Sequence, residues 1–336
     1  MQNIKNETPA ESADTWRKSP LRIISLVLAL SCFISLTSFL FTIPFVAFDD
    51  IALFEVAFRE VFFRGIITFL GGIITSFAYA LTYFLLFVFQ FGTEAKDALG
   101  ISIYYLITGF LLFLMSKKFG FRFALASAIL SYIFIAIFAI DKFFSSVVLS
   151  LFFFSASFAF AKPEELGLAR ENIFRTVLFG IIAFMVMLLV SFSAITLIKS
   201  QNVSDLENVQ KALESAPTYI LFLAVSFGPV AEELFFRGLL IGKIGMFITR
   251  NSALVRSRKE ARNIKEMSLG GAIIALVISS AIFSLAHVRY GSWVELAGAL
   301  VLGLFLGAVY LRTKNILVPI IAHLIYNSLS IATMFF

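Results

Sequence analysis

This sequence has few charged residues and almost no thiol or imidazole groups. Of its 336 residues, 60% are hydrophobic and only 14% are charged, whereas a soluble domain carries about 25% charged residues. The single cysteine, Cys32, excludes an intrachain disulfide and a metal site built from several thiolates. The two histidines, His287 and His323, both lie in the last fifth of the chain. The composition is typical of a polytopic membrane protein, which makes the lipid bilayer its first predicted partner.

The positive net charge does not indicate nucleic-acid binding. The chain carries a formal charge of +6, and in membrane proteins such an excess normally lies in cytoplasmic loops. The most basic loop, residues 248–268, contains Arg250, Arg256, Arg258, Lys259, Arg262 and Lys265. The positive-inside rule therefore places this loop in the cytoplasm.

Apolar segments separated by polar loops predict an all-α fold, a polytopic transmembrane helix bundle of about 9–10 spans. The active site is expected between helices of the C-terminal third. The predicted spans are Leu21–Phe48, Ile66–Phe91, Ile101–Met115, Phe121–Ile140, Phe143–Ala161, Ile173–Ile198, Tyr219–Phe247, Leu269–His287, Trp293–Leu311 and Ile316–Phe336.

Three charges lie together in the span that begins at Tyr219. Glu232, Glu233 and Arg237 follow one another in a stretch that otherwise has no charge from Tyr219 to Ile241. Each charge costs about 2.5–3.5 kcal/mol at the centre of a membrane helix, so a function for them is expected. Glu233 and Arg237 are spaced to pair on one helix face. Glu232 points elsewhere and is the less completely neutralised carboxylate.

Two further polar pairs share helix faces in the last third. They are Phe283 with His287 and His323 with Asn327, each at a spacing of four residues. A carboxylate without a strong partner suits a general base, and a histidine can help it hold and polarise a water. A second histidine and an asparagine offer N–H donors for an oxyanion. The set predicts water attack on an amide carbonyl.

Three alternatives remain open on the residues alone. A buried Glu–Arg pair is often a structural clamp, so an inactive membrane scaffold is one alternative. A secondary transporter that uses the same charges as an ion relay is the second, and paired broken helices around Gly228 and Pro229 would support it. The third is a zinc site with Glu232, His287 and His323 as ligands, although the sequence has no His-Glu-x-x-His motif. The favoured interpretation requires no cofactor.

Two stretches of the N-terminal half imitate these clusters. Glu60–Gly65 repeats the pattern of Glu233–Gly238, but Arg59 stands where Glu232 does and no histidine follows in that half. A chance match in a sequence with 42 phenylalanines is favoured over a decayed duplication, within a predicted interfacial helix over 51–64. A second Glu-Glu pair, Glu164-Glu165, lies in the polar loop 162–175 and is predicted to be solvated.

The order Glu-Glu-x-x-x-Arg with Phe-Arg-Gly, Phe-x-x-x-His and His-x-x-x-Asn resembles the CPBP family of intramembrane endopeptidases. This family includes the type II CAAX prenyl endopeptidases and lysostaphin-resistance-like proteins. The resemblance covers about 216–336, the predicted catalytic membrane domain. A polar tail, 1–20, and an N-terminal transmembrane region of unknown role, 21–200, precede that domain.

The resemblance implies roles for the motif residues. Glu232 and His287 activate the water, His323 and Asn327 stabilise the oxyanion, and Arg237 holds Glu233. It also implies a membrane-associated peptide or protein as substrate, with a prenylated CAAX protein as one candidate. The expected location is the cell membrane.

Overall fold

The computed structural model describes residues 16, 19–42, 110–111, 113–114, 117–140, 143–168, 172–199, 210–211, 214–251, 266–287 and 292–335. The predicted interfacial helix, the span Ile66–Phe91, most of the span Ile101–Met115 and the centre of the basic loop lie outside these residues.

Ten α-helices and one π-helix form the described parts of the chain. They are α1 (Pro20–Thr42), α2 (Phe121–Ile140), α3 (Phe144–Phe160), α4 (Ile173–Lys199), α5 (Thr218–Val225), α6 (Phe227–Glu232), π1 (Glu233–Ile241), α7 (Gly242–Asn251), α8 (Leu269–Leu285), α9 (Trp293–Thr313) and α10 (Leu317–Phe335). Every regular element among the described residues is helical, which confirms the predicted all-α helix bundle.

Two described helices are long and apolar enough to cross a membrane. They are the part of α4 over Ile173–Ser191 and the whole of α9. A bent pair made of α5 and the continuous helix Phe227–Asn251 would be a third span. The other apolar helices are shorter, so the total of 9–10 spans stays a prediction.

The described chain divides into two compact units, Met1–Ser155 and Ala156–Phe336. In the first unit, serine side chains join α1 to α2. The Ser31 hydroxyl donates to the Ser127 carbonyl over 3.1 Å, and the Ser35 hydroxyl donates to the Ser131 carbonyl over 3.0 Å. Small hydroxyl residues let membrane helices approach closely and provide hydrogen bonds between them.

In the second unit, small residues of α9 allow α8 to pack closely. Ala299, Gly303 and Gly307 recur at intervals of four residues and are all buried. A Cβ added to Gly303 would lie 3.1 Å from Cβ of Ser280 and 3.3 Å from Cδ1 of Phe283. This spacing of small residues is a recurrent helix-packing pattern in membranes. It brings the α8 face that carries Phe283 against the middle of α9.

Helix α4 packs on α10, which carries His323 and Asn327. Ala183 and Met187 of α4 form a core cluster with Leu306 of α9 and with Val318 and Ala322 of α10. The other face of α4 is lined by exposed hydrophobic side chains, as expected for contact with lipid. Helix α4 therefore packs against the helix that carries His323.

Gly303→Leu is expected to destabilise the second unit. The added side chain would push against backbone and Cβ atoms of Ser280, which cannot move without shifting α8. Overpacking of this kind costs about 1–3 kcal/mol. Gly298→Leu is the matched control, because a Cβ at Gly298 on the same helix meets no atom within 4 Å. Equal unfolding midpoints for the two variants in detergent would contradict this packing.

Candidate active site

The predicted span Tyr219–Phe247 is not one straight helix. Helix α5 ends at Val225, and the chain bends by 45° before it continues. Pro229 explains the position of the break, because proline has no N–H for the carbonyl of Val225 and its ring clashes there. Ser226, with φ −128° and ψ −89°, is the residue at the corner. The break therefore sets the direction of the helical segment that carries Glu232 and Glu233.

The segment after the break is a π-helix. Residues Glu233–Ile241 contain most of the Glu-Glu-x-x-x-Arg motif and its Phe-Arg-Gly end. π-Helical turns are rare and occur frequently at functional sites. The Ser279 hydroxyl of α8 donates to the Phe236 carbonyl over 2.7 Å. A side chain of another helix thus binds the backbone of π1, a contact that sequence spacing did not reveal.

Glu233 lies in a buried network with a cation and an imidazole. Its Oε1 is 3.1 Å from a guanidinium nitrogen of Arg237, as the spacing of four residues predicted. The same oxygen is 2.9 Å from Nδ1 of His323, although the two residues are ninety positions apart. The Glu233 side chain is 0% exposed, so protein atoms enclose this carboxylate and a substrate cannot contact it.

Arg237 is held by charge and by an aromatic ring. The centre of its guanidinium lies 4.3 Å from the centroid of the Phe283 ring, which is a cation–π distance. Neither terminal nitrogen makes a well-directed hydrogen bond to the described residues. The Glu233–Arg237 contact is therefore an ion pair and not a bidentate hydrogen bond.

Glu232 differs from its neighbour in burial and in partners. Its side chain is 24% exposed, and its Oε2 lies 3.9 Å from Nε2 of His323. This distance is too long for a direct hydrogen bond, and a contact of this length suits groups that share a water. The predicted asymmetry of the two carboxylates is thus present: Glu233 is fully buried and Glu232 is partly exposed.

His323 therefore lies between two carboxylates with its two nitrogens in different roles. An ionised carboxylate only accepts hydrogen bonds, so Nδ1 carries a hydrogen and donates it to Glu233. The other nitrogen, Nε2, faces Glu232. At Nε2 the neutral ring can accept a hydrogen bond, and the doubly protonated ring can donate one.

Phe283 connects the remaining residues of the site. Its ring centroid lies 4.8 Å from that of His287, 6.2 Å from that of His323 and 5.1 Å from that of Phe236. Sequence spacing placed Phe283 beside His287 but did not indicate its contacts with Arg237 and His323. Nδ1 of His287 lies 2.9 Å from the Phe283 carbonyl. That contact assigns the hydrogen to Nδ1 and leaves Nε2 as an acceptor.

Asn327 lies one turn beyond His323 on α10 and binds the broken helix. Its Nδ2 donates to the Ala224 carbonyl over 3.0 Å. Helix breaks expose carbonyls that need partners within a membrane, and Asn327 supplies one. The side chain predicted to bind an oxyanion thus also fastens α10 to the end of α5.

The alternative zinc site requires Glu232, His287 and His323 to surround one metal ion. Among the described residues, no three His, Cys, Asp or Glu side chains lie close enough together to hold a metal ion. His323 faces both carboxylates, whereas the contacts of His287 described above are with Phe283. The zinc alternative with Glu232, His287 and His323 as ligands stays a prediction.

The site lies level with the middle of α9. Phe283 packs against Gly303, which is at the midpoint of α9. Helix α9 is long and apolar enough to cross a membrane. Arg237 and His323 contact the Phe283 ring and share this depth. Charged groups at such a depth normally face a cavity or one another and mark functional sites.

Comparison with known proteins gives one match. Residues 214–329 match the family model described as "Type II CAAX prenyl endopeptidase Rce1-like", and this segment contains all six predicted site residues. No curated protein and no solved structure matches the chain. The match agrees with the resemblance read from the three motifs and with the apolar helices of an integral membrane protein. Over residues 214–329, the chain is therefore similar to the type II CAAX prenyl endopeptidase Rce1-like family.

Proposed function

We propose that this protein is an intramembrane endopeptidase that hydrolyses a peptide bond with a water activated by Glu232 and His287. The observation that carries this proposal is the position of Glu232. It is a partly exposed carboxylate beside Nε2 of His323, while Glu233 on the other side of the same ring is sealed against Arg237. One glutamate is thus available for proton transfer and the other orients the imidazole.

The reaction that fits this arrangement is direct addition of water to an amide. Glu232 takes a proton from the water as the oxygen bonds to the carbonyl carbon, which leaves the negative charge on the carbonyl oxygen. When the carbon–nitrogen bond breaks, the amine nitrogen takes the proton from Glu232. The products are an amine and a carboxylic acid, which passes its remaining proton to the amine to give an ammonium and a carboxylate, and Glu232 is again ionised for another cycle.

The other polar groups supply the contacts that this reaction needs. His287 can accept a hydrogen from the water at Nε2, since Nδ1 is directed at the Phe283 carbonyl. Asn327 has a second N–H hydrogen besides the one it gives to Ala224, and His323 can donate from Nε2 when doubly protonated. These two donors fit the oxyanion role that the resemblance implies.

The proposed substrate is a membrane-associated protein or peptide. Because the site lies level with the middle of α9, which is long and apolar enough to cross a membrane, a substrate with a lipid anchor or an apolar end reaches it by lateral diffusion. A prenylated CAAX-type protein is the candidate that the family indicates. The cell membrane is the proposed location.

Paired broken helices around Gly228 and Pro229 would support the transporter alternative. The helix is broken at Ser226, but this is the one bent pair found in the described parts of the chain. A carrier with repeated halves would place a second broken helix in the corresponding position. The peptidase proposal is favoured because it uses the same break to position Glu232 and agrees with the family match.

A cleavage assay with purified protein in liposomes tests the proposal. The substrates are a farnesylated CAAX peptide that fluoresces on cleavage and the same peptide without the lipid. The wild type is expected to cleave the lipidated peptide, and His287→Ala and His323→Ala are each expected to lose at least about 100-fold in rate. The reaction is read by mass spectrometry at the new carboxylate. Full activity of either histidine variant would refute the assigned chemistry.

A further inference from the structure

A turn outside the family segment is joined to the site. The turn is formed by residues 162–168, between α3 and α4, and it contains the Glu164-Glu165 pair that is predicted to be solvated. Glu164 is indeed exposed. The next two residues differ, since Leu166 is 0% exposed and Gly167 is also buried. Two backbone hydrogen bonds stabilise the turn. The Leu166 N–H donates to the Lys162 carbonyl, and the Leu168 N–H donates to the Pro163 carbonyl.

Leu166 packs against the glycine that follows Arg237. A Cβ added to Gly238 would lie 3.1 Å from Cδ2 of Leu166, 3.2 Å from its carbonyl oxygen and 3.4 Å from its Cα. Contacts of about 3 Å are tighter than normal van der Waals packing, so the absence of a side chain at Gly238 lets the turn reach π1. The same carbonyl oxygen accepts a hydrogen bond from the Tyr310 hydroxyl of α9 over 3.3 Å.

Gly167 fastens the turn to the start of α10. Its φ of +82° is favourable for glycine and strained for other residues. A Cβ there would lie 2.9 Å from Cε2 of Tyr310 and 3.2 Å from the Lys314 carbonyl oxygen. The Gly167 carbonyl accepts from the N–H of Ile316, one residue before α10 begins. The turn thus contacts π1 on one side and the α9–α10 connection on the other.

We propose that the Leu166–Gly167 turn is a positioning element of the active site. It sets the separation of π1 and α10, and so the distance between Glu232 and His323. The network of Arg237, Glu233 and His323 also connects π1 to α10, through side chains of the site itself. The catalytic unit therefore extends upstream of residues 214–329. This inference rests on the proposed function, because the distance that the turn sets matters only if Glu232 and His323 act on the same peptide bond.

Glycine variants of the full-length protein in liposomes test this inference. Gly238→Ala and Gly167→Ala are each expected to lower kcat about 10-fold or more per folded molecule, with KM for the peptide changed less than about twofold, because misplacement by about 1 Å can cost about 100-fold in rate. Gly298→Ala is the control, because its Cβ meets no atom within 4 Å and it lies in the same unit. A kcat equal to that of the control in both variants would overturn the inference.

A partial rescue separates positioning from general damage. Leu166→Ala removes the side-chain atom nearest to a Cβ at Gly238, so the double variant with Gly238→Ala is expected to exceed the Gly238→Ala single variant in kcat. Non-additivity of this kind is typical of residues in contact. If the glycine variants do not fold, Tyr310→Phe removes only the hydroxyl that binds Leu166. It is expected to lower kcat about threefold, and an unchanged kcat would count against the turn.

A distance measurement keeps the inference separate from the proposed function. Spin labels at the exposed residues Phe247 of α7 and Leu329 of α10 report the separation of the two segments. The distance distribution is expected to shift or broaden in Gly167→Ala and to stay the same in Gly298→Ala. An unchanged distribution in Gly167→Ala overturns the positioning role even if the wild type cleaves peptides. A shifted distribution with no cleavage by the wild type would refute the proposed function alone.

Discussion

Glu232→Gln is expected to abolish peptide cleavage and leave the helix bundle folded. Glutamine keeps the shape of the side chain but cannot accept the proton of the attacking water. General acid–base catalysis contributes about 10²–10⁴-fold, so a rate loss in that range is expected. The side chain is 24% exposed, and its 3.9 Å contact with His323 is too long for a direct hydrogen bond. The unfolding midpoint should therefore change little.

Two glutamates of the same chain serve as comparisons for Glu232→Gln. Glu164 belongs to the other Glu-Glu pair and is exposed, so Glu164→Gln should cleave like the wild type. Glu233→Gln should lose activity and stability together, because it leaves Arg237 buried without its counterion. Rate constants per folded molecule and thermal unfolding in detergent distinguish the three variants. A fully active Glu232→Gln would remove this residue from the chemistry and leave the peptidase proposal without its base.

The local features of the site could be predicted from the sequence. The i,i+4 spacing gave the Glu233–Arg237 ion pair, and it left Glu232 as the carboxylate with fewer partners. Apolar runs also gave the bounds of α2, predicted as Phe121–Ile140 and found there. Both features depend on neighbours within a turn or on the length of an apolar run, and the sequence displays these directly.

Features that depend on contacts between distant segments could not be predicted. The hydrogen bond of His323 to Glu233 joins residues on different helices, and helix packing decides which nitrogen faces which carboxylate. The π-helix depends on competition between alternative backbone hydrogen bonds, which spacing does not resolve. Leu166 lies in a polar stretch and is buried only because Gly238 and Tyr310 receive it. Pro229 was the one local signal for the break, and it gave the position but not the 45° bend.

Arg237→Ala is expected to cause the largest loss of stability among single substitutions in the site. It removes the counterion of a carboxylate that is 0% exposed and takes away the cation packed on Phe283. Breaking a buried ion pair by removing one partner costs about 3–5 kcal/mol. Arg237→Lys should recover only part of this loss, because the ammonium lacks the planar guanidinium that stacks on the ring. Chemical or thermal unfolding in detergent measures both variants.

Arg64→Ala provides the comparison for Arg237→Ala in the cleavage assay. The sequence around Arg64 repeats the pattern around Arg237, and if that repeat has no catalytic role, Arg64→Ala should cleave normally per folded molecule. Equal losses from Arg64→Ala and Arg237→Ala would show that the N-terminal half takes part in the reaction.

A double substitution distinguishes the structural role of the ion pair from its role in catalysis. Glu233→Gln with Arg237→Met removes both charges, so no buried charge is left without a partner. Replacing a buried ion pair by residues of similar volume is often neutral or stabilising, and the double variant should unfold later than Arg237→Ala. It should nevertheless stay inactive, because the doubly protonated His323 that donates from Nε2 loses the carboxylate that accepts from its Nδ1. Recovery of stability without recovery of cleavage would assign Glu233 to the orientation of His323, whereas recovery of both would reduce the pair to a helix clamp.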